Sequence, residues 1–110
     1  TDFLFLEKMK TILEETSLFS KYEEGFYRYA YNGLRGCLKK FVFNKKYKAS
    51  YRQRKDIALT LINKEIYKKA VYGKYGQLGG GIKWKLIEFI IRKQMWFCLY
   101  VVYYKFELNW

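Results

Sequence analysis

The sequence predicts an all-α fold, a small bundle of about five helices with a glycine-rich connector before the C-terminal helical segment. Three observations predict it. The chain contains no proline, apolar residues recur at three- and four-residue spacing along most of its length, and segments alternating apolar with polar residues are scarce. With 110 residues and 51% hydrophobic content, a single domain with its own core is the expectation, covering residues 1–110.

The first helix is expected from about Asp2 to Glu15. There Phe3, Leu6, Met9, Ile12 and Leu13 recur at helical spacing, and Asp2 stands where a cap is needed. In SKYEE, Ser20 and Glu23 have the spacing of a capping box for a second helix. Its apolar side reads Phe26, Tyr29, Ala30, Gly33, Leu34, Cys37 and Phe41; Lys21, Arg28, Asn32, Arg35 and Lys39 gather opposite. A glycine inside a helix costs about 1 kcal/mol relative to alanine, so Gly33 and Gly36 point to close approach by a neighbouring helix.

The stretch FNKKYKASYRQRK is basic and aromatic, and Ser50 is placed to cap a third helix with Ile57, Ala58, Leu61 and Ile62 inward. Its first turn is cationic, against the helix dipole. That arrangement makes Arg52, Arg54 and Lys55 candidate anion contacts. Asn63 then stands as cap for a short helix, KEIYKKAVY, with Ile66 and Ala70 inward. Next comes YGKYGQLGGGIKWK, with glycines at 73, 76, 79, 80 and 81. It follows a helix rather than a strand and lacks the Lys-Ser/Thr ending of a phosphate loop, so it reads as a connector. From Ile82 to Lys93, Lys85, Glu88 and Arg92 form one narrow polar edge, while Leu86, Ile87, Phe89, Ile90 and Ile91 cover most of the circumference. So broad an apolar surface calls for two neighbours.

The balance of 22 basic against 10 acidic residues gives a net charge of +12, a field that attracts nucleic acid, anionic lipid or phosphorylated small molecules. Aromatic content of 22%, including 12 tyrosines, excludes ordinary disorder. Two cysteines without CxxC spacing and no histidine provide no metal-site pattern, and no cofactor is expected in this chain. Packed thiols in a reducing compartment are expected instead. Asp2, Glu7, Glu14 and Glu15 interrupt any basic-then-apolar leader, which leads to the expectation of a cytoplasmic chain. Its opening on Thr1 rather than Met suggests the C-terminal fragment of a longer protein.

The chain closes on RKQMWFCLYVVYYKFELNW. The uncharged run Met95 to Tyr104 is about half of the roughly 20 residues that a helical bilayer crossing needs. Joining it to the preceding helix would place Glu88, Arg92 and Lys93 at bilayer depth, at roughly 2.5 to 3.5 kcal/mol per charge. The expected element is therefore a helix that closes the core and also offers rings and cations to a membrane interface. The candidate membrane or acceptor contacts are Lys83, Trp84, Lys85, Arg92, Lys93, Trp96, Lys105 and Trp110.

The succession FLEKMKTILEETSLFSKYEE, GFYRYAYNGLRGCLKKF, LINKEIYKKAVY and KWKLIEFIIRKQMWFCLYVVYYKFE resembles the C-terminal region of bacterial family 2 glycosyltransferases over nearly the whole chain. The resemblance implies an absent N-terminal GT-A catalytic domain that uses a nucleotide-diphosphate sugar and a divalent metal to build surface polysaccharide on a lipid-linked acceptor. No DxD spacing occurs here, and no catalytic residue of that family maps onto this sequence. What carries over is a non-catalytic supporting role. That role is packing on the catalytic domain, association into a homo-oligomer, or peripheral attachment to the inner face of the membrane near the acceptor. The alternative is a basic helical module that binds nucleic acid, since tyrosines interleaved with lysines also suit phosphate contact and base stacking.

Overall fold

A computed structural model describes residues 2–73 and 81–108, with Asp2 as backbone only. Among these residues every regular element is helical: α1 (Asp2–Glu15), α2 (Phe19–Cys37), α3 (Tyr51–Ile62), α4 (Glu65–Tyr72), α5 (Ile82–Arg92) and the single turn α6 (Trp96–Leu99). Two of them widen at their C-terminal ends into π-helical turns, α2 through Leu38–Val42 and α6 through Tyr100–Lys105. The all-α expectation holds. Most of the glycine-rich connector, the proposed Asp2 cap and Trp110 lie outside the described residues.

The helix boundaries have local causes. Ser50 accepts from the Gln53 amide at 3.2 Å while the Gln53 side chain accepts from the Ser50 amide at 2.9 Å, a reciprocal cap that starts α3. The ends of α1 and α5 share a different device. Leu18 N–H reaches back to Leu13 O at 2.8 Å and Ser17 N–H to Glu14 O at 3.1 Å; Met95 and Gln94 repeat the pattern onto Ile90 O and Ile91 O, each at 3.0 Å. These are Schellman closures, and they put Ser17 (φ 62°) and Gln94 (φ 55°) in the left-handed region that glycine usually fills.

Two expected caps are not formed. α2 starts two residues earlier, at Phe19, after Leu18 and without a side-chain cap, because the Schellman turn carries the chain directly into the next helix. Asn63 ends α3 rather than starting α4, whose preceding residue is Lys64.

The core lies along α2 and α4, the most extensively contacting helix pair, with α1 on α2, α3 and α5 on α4, and α6 on α5. Phe26, Tyr27, Ala30, Tyr31 and Leu34 of α2 are buried with Ile66, Tyr67, Ala70 and Val71 of α4. Ala58, Ile62, Ile87, Ile90, Ile91, Leu99 and Tyr103 close the remaining sides. The inward face of α2 is rotated from the expected one: Tyr29 and Phe41 are 56% and 64% exposed, and Tyr27, Tyr31 and Leu38 take the interior. At its end the wider π turn shifts the register, so that Val42 and Phe43 point inward where α-helical spacing selects Phe41. Nor do Gly33 and Gly36 mark a close helix contact, since a Cβ at either would meet nothing within 4 Å. The small residues in the interior are Ala30, Ala58 and Ala70.

Candidate functional site

Three groups of cationic residues have different surroundings. The first is interior. Arg54, in the second turn of α3, is only 1% exposed. Its guanidinium donates to Val42 O and Asn44 O at 2.8 Å each, to Ala49 O at 3.2 Å, and to Tyr47 O. It lies 4.8 Å from the Tyr104 ring centroid and 5.4 Å from that of Tyr47. A guanidinium presents five donors in a planar fork. Here that fork gathers carbonyls from the end of the α2 π turn and from the loop that follows. The charge sits where a helix C-terminus favours a cation. Arg54 is thus occupied in shaping the 43–50 loop, whereas Arg52 and Lys55, its companions among the expected anion contacts, are exposed.

The second group is the loop itself and the helix end beside it. Lys39, Lys45, Lys46 and Lys48 line a cavity of about 610 Å³ together with Asn44, Tyr103, Glu107 and Leu108. Asn44 Oδ1 accepts from the Lys46 amide at 2.7 Å, which tightens the loop. Partial burial, then the fields of Arg35, Lys40 and Lys83, hold the Lys39 ammonium below its ordinary range. Tyr103 is 5% exposed and its hydroxyl has no hydrogen-bond partner. Burial pushes that phenol up to about 12, against the opposing pull of Arg35. These lysines were not singled out by the sequence reading; the run NKKYK was the available signal.

The third group is on α5. At about 100° per residue, Ile82, Leu86, Phe89 and Lys93 share one side, with Lys85 at its edge, and all five are exposed. Ile82 is 86% exposed. The opposite side, Ile87, Ile90 and Ile91, is buried. Between these faces Trp84 stacks under the Arg35 guanidinium, 4.4 Å from its ring centroid, with Lys83 Nζ at 5.0 Å. Glu88 and Arg92 form the expected ion pair at 2.9 Å.

The expected membrane contacts therefore do not form one surface. Lys83 and Trp84 are half-buried beside Arg35; Lys85 and Lys93 are on the outward face of α5. Arg92 is half-buried and engaged within the fold, its Nε donating to Val71 O at 2.9 Å, while Tyr72 OH donates to Arg92 O at 2.8 Å. Trp96 is 2% exposed and belongs to the core. Lys105 is exposed, beside the stacked rings of Tyr100 and Tyr104. Missed by the sequence reading are Leu86 and Phe89 as outward residues, since an almost continuous apolar circumference does not say which part faces a neighbour.

Cys37 and Cys98 are half-buried thiols outside any disulfide. No described helix is long and apolar enough to cross a membrane. No family model, curated protein or solved structure matches the chain.

Proposed function

We propose that this chain is a non-catalytic, basic helical module that attaches peripherally to an anionic membrane surface through α5. The observation that carries the proposal is the outward stripe Ile82, Leu86 and Phe89, exposed on a helix whose other side is buried, with Lys85 and Lys93 alongside. Such a helix lies in the plane of the interface, its apolar residues at the acyl boundary and its ammonium groups at lipid phosphates. Each lysine near an anionic surface contributes roughly 1 kcal/mol, and the net charge of +12 favours approach from a distance. Lipid is the occupant chosen because apolar residues and cations occur side by side on this face.

The resemblance to family 2 glycosyltransferases supplies the wider role. In that reading the module supports a sugar-transferring enzyme in surface polysaccharide synthesis, holding it at the inner face of the membrane near a lipid-linked acceptor.

Co-sedimentation with vesicles tests the attachment. Binding is expected to phosphatidylglycerol vesicles at low salt, and to be lost in Leu86→Ser/Phe89→Ser with the helical circular dichroism spectrum unchanged. Absence of binding by the wild-type chain, or binding indifferent to both substitutions, overturns the reading. Association of the purified chain with a separately expressed GT-A domain tests the enzymatic context.

A further inference from the structure

The lysine cavity shares no lining residue with the α5 stripe and has a different character. We infer that it is a binding site for a phosphate-bearing ligand, a diphosphate or phosphomonoester group held by Lys39, Lys45, Lys46 and Lys48.

Four lysines against the single carboxylate of Glu107 leave a formal +3 around about 610 Å³, a volume within the range of small-ligand sites. A surface loop carrying lysines would ordinarily spread its ammonium groups into water. Here the loop is drawn inward by Arg54, through the carbonyls of Asn44, Tyr47 and Ala49, and its lysines are held around one concavity with Lys39 of the α2 end. The same guanidinium removes an obstacle to anion binding. The C-terminal end of a helix presents unpaired carbonyls that repel an anion, and at this end Val42 O accepts from Arg54.

Tyr103 lines the cavity while its hydroxyl is enclosed in the protein, so it supplies a wall and the lysines supply the donors. The lowered range of Lys39 reflects partial burial first and neighbouring cations second, and a bound polyanion offsets the second.

Titration calorimetry of the whole chain with inorganic pyrophosphate at low salt tests the site. One bound equivalent is expected. Lys39→Gln/Lys46→Gln is expected to weaken it by about tenfold or more, as charge-assisted donors are lost. The control Lys8→Gln/Lys68→Gln makes the same change in net charge and is expected to stay within about twofold. Amine acetylation gives a second readout in the unaltered chain: pyrophosphate should protect Lys39 and Lys46 and leave Lys8 and Lys68 labelled.

A parallel arm with phosphatidic acid against phosphatidylcholine vesicles distinguishes a lipid headgroup from a soluble phosphate. Dependence on Lys39 and Lys46 in either arm supports the site. Leu86→Ser/Phe89→Ser should abolish vesicle attachment and leave pyrophosphate binding intact, so the two proposals fail separately. Equal losses in both lysine pairs, absence of both pyrophosphate binding and headgroup dependence, or displacement of pyrophosphate by an oligonucleotide with equal dependence on all four lysines overturns the inference.

Discussion

The Arg54 guanidinium donates to the Val42 carbonyl across twelve residues of sequence, at 2.8 Å and out of solvent. This one contact joins the C-terminal end of the α2 π turn to the second turn of α3, and the neighbouring bonds to Asn44, Tyr47 and Ala49 determine the path of the loop between them. A basic residue in a segment that reads as a cationic surface is thus an internal bracket, and the lysines around it are arranged by it.

Arg54→Met is expected to destabilise the chain by about 3 kcal/mol, since several buried carbonyls lose a charged donor at once. Arg54→Lys should recover only part of the loss, because one ammonium cannot span the acceptors that a planar fork reaches. Urea denaturation followed by circular dichroism measures both. A lysine variant as stable as wild type would show that charge alone, without the fork, maintains the loop.

Tyr31 and Tyr103 lead to an alkaline dependence. The ordinary phenol value is 10.0, and burial raises both, Tyr103 to about 12. The folded phenols hold their protons where the unfolded ones release theirs, so the stability they contribute is complete below about pH 10 and declines as pH rises through the folded values. Phenolate absorbance should show a late-titrating class, to which Tyr27 and Tyr51 also belong, both raised by burial first; Tyr31→Phe/Tyr103→Phe should shrink that class and reduce the decline of stability above about pH 10. An unchanged number of late-titrating tyrosines in the double variant would contradict the assignment.

Ser17 and Gln94 both occupy left-handed positions, but only Gln94 has a compensating contact, its Nε2 donating to Tyr72 OH at 3.0 Å. Ser17→Gly is expected to stabilise the chain by about 0.5–1 kcal/mol through relief of that conformation. Gln94→Gly should gain less, because it also removes the link to Tyr72. Thermal melts of the two variants compare them directly, and a larger gain at Gln94 would mean that this link contributes nothing.

Trp96 and Trp84 separate core from surface. Trp96→Ala should cost about 3–5 kcal/mol as a cavity opens beneath α6. Trp84, half-buried under Arg35, should cost less on truncation. In a Trp110→Phe background, adding Trp96→Phe should leave Trp84 emission that responds to acrylamide, and adding Trp84→Phe should leave Trp96 emission that is shielded. Equal quenching of the two indoles would contradict the burial assigned to Trp96.

The sequence by itself determined the helical class, the span of α1, the Ser50 start of α3, the inward positions of Ile66 and Ala70 in α4 and the Glu88–Arg92 pair. These rest on interactions between residues close in the chain, which periodicity and capping chemistry expose. Tertiary structure alone decided the rotation of α2, because its apolar and aromatic residues cover more than one face and only α1, α4 and the neighbouring segments select which is buried. It also decided the opposite fates of Arg54 and the loop lysines, and of Trp96 and Phe89. Composition supplies cations and rings in abundance. Whether a given one meets water or the interior depends on carbonyls and side chains brought from distant segments, whose positions no local spacing encodes.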